Sequence, residues 1–153
     1  METNTINEAR QYIVVRLGDE NFGIDIQYID NIVRMQRITR VPKAQNYFRG
    51  VINIRGEIIP VMSLRLKFGL NEDEITNATR ILILKIEPQA AVGIIVDEVR
   101  EVVTIEAENI DKISNTNNDE KVAYLAGVGK SGDGLITLLN MHAVIIEKDL
   151  EIK

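Results

Sequence analysis

From position 11 the chain reads as short apolar runs cut by polar turns, not as long helical stripes. "QYIVVRL" leads through a "GDEN" turn into "FGIDIQYIDNIVRM", and alternation with β-branching predicts strands in both. "AQNYFRG" predicts one helical turn with Gly50 as its C-cap. Two very apolar runs, 51–54 and 58–62, flank Arg55-Gly56-Glu57. They predict a hairpin in which Gly56 supplies the positive φ of a tight turn. Pro60 has no N–H to donate, which predicts an edge strand or a bulge. "SLRLKFGL" predicts a short helix, with Ser63 as N-cap and Gly69 as stop. After the polar connector "NEDEITNAT", "RILILKI" and the long run "VGIIVDEVREVVTI" predict two further strands. "SNTNNDEK" reads as a loop, and "YLAGV" and "GLITLLN" flank a Gly-rich turn. "MHAVIIEKDLEIK" carries helical spacing, with Asn140 as N-cap.

The halves resemble each other. Phe22-Gly23-Ile24-Asp25-Ile26 aligns with Val92-Gly93-Ile94-Ile95-Val96, 70 positions on, and Ile29 and Ile32 then meet Val99 and Val102. Tyr47, Gly50 and Val51 align with Tyr124, Gly127 and Val128, now 77 positions on. The step from 70 to 77 falls at "SNTNNDEK", where an insertion accounts for it. Two similar small β-barrels are expected, each marginal alone at about 60–70 residues and so packed against the other. The expected layout is one domain over 10–153. Its first subdomain covers about 10–70 plus C-terminal elements, and its second about 78–135.

Composition narrows the function. Net charge is −5 with only 5% aromatic residues and no Trp, which disfavours nucleic acid as a partner. One local basic run, "VRMQRITRVPK", stands against that balance and reads as a solvated face. No run approaches the roughly 20 apolar residues of a membrane span, and the N-terminus lacks a signal-peptide pattern, so the cytoplasm is the expected compartment. With no Cys and a single His, neither a thiolate site nor a multi-His metal site can be built.

Candidate chemistry fails on context. "GVGKSGDG" ends like a phosphate-binding loop, but Tyr124 stands where the first glycine belongs and a strand follows instead of a helix. A triad would have to use His142, which falls in the C-terminal helical segment. The paired carboxylates, such as Glu72, Asp73 and Glu74 or Asp97 and Glu98, fall in loops or on outer strand faces and read as solubility. What remains is apolar excess. Ile29, Ile32 and Val33, and again Val96, Val99, Val102 and Val103, put apolar side chains on both faces of a strand. That pattern means either two-sided burial or a patch that takes a partner.

Four blocks then carry a resemblance: "LGDENFGIDIQYIDNI", "YFRGVINIRGEIIPVMSLRLKFG", "VGIIVDEV" and "YLAGVGK". In this order, and with the specific hairpin G-V-x-N-x-R-G-x-I-x-P-V, they resemble the CheW family of chemotaxis coupling proteins over nearly the whole chain. The resemblance implies an all-β fold of two five-stranded SH3-like β-barrels packed together, with short helices including a C-terminal one. It implies no catalysis, no cofactor and no metal. It implies a cytoplasmic adaptor, recruited to membrane-associated receptor arrays without inserting in the membrane. The adaptor would bridge the cytoplasmic tip of a chemoreceptor to the regulatory domain of the histidine kinase CheA. Motif by motif, the receptor groove would lie between the barrels, with Ile29, Val99 and Val102 as apolar anchors, Asn31 beside them, and Arg55 at the hairpin tip held by Gly50 and Gly56. The kinase contact would use the end of the second barrel, with Arg80, Ile113 and Val122.

Two departures stand out. Asn31 replaces an acidic residue of many relatives and leaves only a neutral hydrogen bond, roughly half as strong as a charged one. Ser63 replaces an Asp but keeps a capping oxygen. Competing readings are a CheW-like scaffold of another two-component pathway, a nucleotide-binding protein using Lys130, and a nucleic-acid barrel. A domain fused to a receiver would need roughly 110–120 more residues, and the chain is expected to carry none.

Overall fold

The side chains of β1 (Arg10–Leu17) alternate between two cores. Tyr12 and Val14 fill one, while Ile13, Val15 and Leu17 fill another. A strand buried on both faces has no polar side, which is why "YIVV" lacks alternation. The computed structural model describes residues 9–43, 45–87, 90–112, 124–132 and 134–150.

Among the described residues ten further strands follow in chain order: β2 (Glu20–Asp25), β3 (Ile29–Arg34), β4 (Phe48–Ile54), β5 (Glu57–Ser63), β6 (Arg80–Glu87), β7 (Ala90–Val96), β8 (Glu98–Ile105), β9 (Ile110–Lys112), β10 (Leu125–Ser131) and β11 (Gly134–Leu139). Among the described residues two one-turn helices, α1 (Leu64–Lys67) and α2 (Met141–Val144), close the two β-rich runs. One sheet has the order β8-β1-β2-β11-β10-β9 and the other β3-β6-β7-β5-β4. Each wraps its own core as a barrel. The expected five-and-five count becomes six and five because β9 has only a remnant counterpart, the isolated bridge Thr39–Val51.

The internal repeat is real in the pairing, but the halves are exchanged. β1 and β2 belong to the sheet completed by β8 to β11, and β6 and β7 belong to the sheet completed by β3 to β5. The parallel joints match: Val61 lies opposite Gly93, and Leu138 opposite Gly23. A division near residues 70–78 therefore does not describe the sheets, since each takes its leading hairpin from one repeat and its remaining strands from the other. Both crossings break strands that look continuous in sequence. The chain leaves β2 through a 3-10 turn at Ile26–Tyr28, and it leaves β7 at Asp97.

The seam between barrels is the main core. Among the described residues, sixteen buried ones from both sheets and from α1 and α2 meet there, against seven and five in the barrels' own clusters. At about 1.5–3 kcal/mol per fully buried aliphatic or aromatic side chain, the seam contributes more burial than either barrel's own core.

Local expectations divide. Ser63 Oγ accepts from Leu66 N at 3.1 Å, so the α1 cap holds, and Gly69 ends the helix with φ 79°. Gly50 is no helix cap. It sits inside β4 with φ 138°, where an added Cβ would lie 2.3 Å from the Thr39 carbonyl oxygen. Pro60 is neither at an edge nor bulged. β5 lies between β7 and β4, with Pro60 in a non-hydrogen-bonded pair opposite Val51, and pairing to β7 starts only at Val61. The C-terminal segment is not one helix. α2 stops where Ile145 turns extended, and a 3-10 turn at Glu147–Leu150 follows. Asn140 occupies the N-cap without a side-chain cap bond.

Candidate functional site

Directly opposed residues of an antiparallel pair point to the same face, so register assigns each edge-strand side chain to a core. β3 is the outer strand of its sheet and β8 of the other. Ile29 lies opposite Leu84 and Ile32 opposite Leu82, and both partners belong to the seam core. Val99 lies opposite Val15 and Val102 opposite Ile13, again seam residues. Residues three apart share a face because each pairing is bulged, between Ile29 and Asn31 in β3 and at Val14/Val15 against β8. The bulges fall at equivalent positions of the repeat, leaving Asp30 and Arg100 unpaired.

The edge strands thus carry the seam surface past the point where the sheets cover each other. Ile29 and Val99 pack partly on the seam core, while Ile32 and Val102 remain 37% and 51% exposed. The other side chains of the apolar excess go elsewhere. Val96 is fully buried in the seam, and Val33 and Val103 pack against the separate barrel cores. Asn31 falls opposite Ile83, on the barrel-core side, and its Oδ1 accepts from Ile32 N at 2.9 Å. Register therefore separates Asn31 from the four apolar groups. Ile32, outside the expected anchors, joins them, and its repeat partner Val102 is the sequence signal for it.

Arg55 stands exposed at the β4–β5 tip, with φ 52°, and Gly56 follows with φ 85°. Two consecutive positive φ values make a type I′ turn, flanked by the Ile54–Glu57 pair and capped by Gly56 N donating to Asn53 Oδ1 at 2.9 Å. Arg55 is the one non-glycine residue with positive φ among the described residues. An Arg there costs roughly 1–2 kcal/mol against an extended or right-handed conformation.

Of the expected kinase residues, only Arg80 lies among the described residues. Arg80 opens β6 in the five-stranded sheet, and its guanidinium donates to the carbonyls of Asn77 and Thr79 at 2.7 and 2.9 Å. Ile113 and Val122 lie outside the described residues, in the connection between β9 and β10 of the other sheet.

Behind the seam lie two ion-pair clusters that hold the elements together. Asp97 is not surface charge: it is 8% exposed. It accepts from Arg65 Nε at 2.8 Å, from Arg65 Nη2, and from Gly18 N at 2.8 Å, with Arg16 at 3.6 Å. Burial pushes its carboxyl up, but Arg65, Gly18 and Arg16 together outweigh burial and hold it below the ordinary carboxylate value. Hydrogen bonding to Asp97 in turn raises Arg65. In the second cluster Lys67 donates to Asp149 Oδ2 at 3.2 Å, and Tyr47 Oη to Asp149 Oδ1 at 2.7 Å. Burial, then the bond to Asp149, pushes the Tyr47 phenol well up.

No group of His, Cys, Asp and Glu able to hold a metal occurs among the described residues. His142 is exposed and meets Tyr28 edge-on at 5.4 Å between ring centroids. Gly129 and Lys130 lie within β10, where a Cβ on Gly129 would come 2.7 Å from Ile105, so no phosphate cradle forms. No helix among the described residues is long and apolar enough to cross a membrane.

A family model described as CheW-like domain matches residues 11–149. A chemotaxis protein CheW of Helicobacter pylori is 38% identical over 143 residues, covering 93% of this chain and 84% of that protein. One from Treponema pallidum is 30% identical over 149 residues, covering 95% and 87%. The crystal structure of the scaffolding protein TtCheW from Thermoanaerobacter tengcongensis superposes with a TM-score of 0.83 at 29% identity, covering 95% of this chain and 99% of that one.

Proposed function

The chain belongs to the CheW-like family of chemotaxis scaffold proteins, which are not enzymes, and we propose that it couples the cytoplasmic tip of a chemoreceptor to the regulatory domain of the histidine kinase CheA. The coupling is noncovalent. The receptor's helical hairpin lays an apolar stripe along the seam surface of β3 and β8, in the helix-in-groove mode. Ile29 and Val99 form the floor and Ile32 and Val102 the rims. Arg55 reaches a polar or acidic group of the same receptor, with Gly50 and Gly56 fixing its hairpin. The kinase contact is assigned to Arg80, with Ile113 and Val122. The protein works in the cytoplasm, at membrane-associated receptor arrays.

One observation carries this reading. Two equivalent edge strands, each bulged at the same place, present Ile32 and Val102 to solvent on the continuation of a buried face. An exposed apolar pair built twice by the repeat is what a partner helix would cover.

The test is a pair of titrations, against the isolated CheA regulatory domain and against a receptor-tip hairpin. Wild type is compared with Ile32→Glu, Val102→Glu, Arg55→Ala and Arg80→Glu. The expected pattern is loss of receptor binding in the first three with kinase binding kept, and the reverse in Arg80→Glu. Wild-type binding to neither partner at high micromolar concentration would defeat the reading.

A further inference from the structure

The segment 31–56 contains Arg34, Arg37, Arg40, Lys43, Arg49 and Arg55 and no Asp or Glu, although the whole chain has net charge −5. The rest of the molecule is therefore acidic on balance, and six of the 18 Lys and Arg residues fall on one connection and the two strands beside it with no carboxylate among them. Arg34 even lies directly opposite Arg80 across β3 and β6, a like-charge pairing that costs stability.

Between β3 and β4 this segment walls a cavity of about 530 Å³, lined by Arg40, Lys43 and Arg49 with Gln45, Asn46 and Phe48 among its other residues. No carboxylate among the described residues lines it. Lys43 Nζ sits 4.7 Å above the Phe48 ring. Gln45 Oε1 is buried with no hydrogen-bond partner among the described residues. A buried orphan polar atom calls for an explanation. Arg49 already approaches one carboxylate, that of Glu72, at 3.9 Å on the exposed side.

We infer that this cavity is a binding site for an acidic protein segment, whose carboxylates are held by Arg40, Lys43 and Arg49 with Gln45 donating from the wall. Guanidinium and carboxylate pair in a fixed, planar geometry, which a concave site with two arginines can use. A short acidic segment fits better than an extended polyanion. DNA or an anionic bilayer laid across the cations would run onto the acidic remainder, within a Debye length of about 8 Å at physiological salt. The site is separate from the seam surface and does not depend on the receptor or kinase assignments.

The experiment is fluorescence anisotropy with the full chain and a labelled peptide of alternating Glu and Ala, six Glu in all. A six-nucleotide single strand and phosphatidylserine vesicles serve as competing probes. Wild type should bind the peptide in low salt, weaken steeply as salt rises, and bind the other two probes more weakly. Arg40→Glu and Gln45→Glu should each weaken the peptide about tenfold or more, while Lys130→Glu, in β10 of the other sheet, should leave it unchanged. If Arg40→Glu melts early, Arg40→Gln and Lys43→Gln replace it, each expected to weaken binding by a smaller factor. Absence of peptide binding, an equal loss in Lys130→Glu, or tighter binding of oligonucleotide or vesicles would each overturn the inference.

Discussion

Gly50 and Gly127 hold the same place in the two repeats. An added Cβ would lie 2.3 Å from the Thr39 carbonyl oxygen in one and 2.7 Å from that of Asp111 in the other. Each glycine lies at a bulge in its strand, next to the segment that pairs beside it, Thr39 with Val51 in one repeat and Asp111 with Val128 in the other. Backbone carbonyls cannot give way as side chains do, and Gly50 adds φ 138°. Gly50→Ala should therefore cost about 2–4 kcal/mol. Gly56→Ala, with nothing within 4 Å of the new Cβ, should cost only about 1–2 kcal/mol for its positive φ. Urea denaturation of both variants measures the difference, and equal losses would contradict the close-approach argument.

Under the proposed function, Arg55 should separate recognition from stability. Its φ of 52° suits Asn, the preferred first residue of a type I′ turn before Gly. Arg55→Asn should melt at the same temperature as wild type or up to about 3 °C higher, while weakening receptor binding. A clear fall in melting temperature would make the arginine a structural residue.

Asp97 sets an acid limit. Its carboxyl is held below the ordinary value in the folded protein, so the unfolded chain binds that proton more readily. The stabilisation is present above the unfolded pKa of about 3.9 and is lost as pH falls through the lower folded value. Wild-type stability should fall below about pH 4, and Asp97→Asn should flatten that part of the profile while lowering stability at neutral pH. Asp73 has the opposite sign. Burial raises its carboxyl, and its Oδ1 is buried without a partner among the described residues, so Asp73→Asn should stabilise the protein at pH 7. Melting curves from pH 3 to 7 for the two variants test both signs.

Lys67 and Asp149 are both nearly fully buried, at 4% and 3% side-chain exposure, and tie the C-terminal turn to α1. Asp149→Ala leaves a buried ammonium without its counter-ion and should cost about 3–5 kcal/mol. Lys67→Met with Asp149→Leu removes both charges and should recover most of that loss. A double variant as unstable as the single one would move the cause from charge to packing.

The sequence carried much of the fold in its period of two, which marked the apolar runs of most strands. It did not carry the crossings. Ile26 and Tyr28 continue the apolar pattern straight through the 3-10 turn, so β2 and β3 look like one strand. Nor could it carry the exchange of hairpins, because similar repeats offer each strand two acceptable partners and alternation does not choose between them. Asp97 was read as surface because Arg65 and Gly18, which make it a buried acceptor, lie 32 and 79 positions away. The apolar surface was half legible. Val102 follows from the resemblance, while Ile32 follows from the repeat once Val102 is taken as its counterpart.

The reciprocal pairing of β1 and β2 with β11 and β8 also dictates an order of events at the ribosome. The first hairpin is synthesised early, but its neighbours at 98–105 and 134–139 leave the ribosome later, the second of them more than a hundred residues later. At roughly 5–20 residues per second, the hairpin waits on the order of ten seconds with both edges and Ile13, Val15 and Leu17 uncovered. During that interval the nascent chain is a natural client for a chaperone that holds exposed strands, and production of this protein should be more sensitive to such a chaperone than its final stability would suggest.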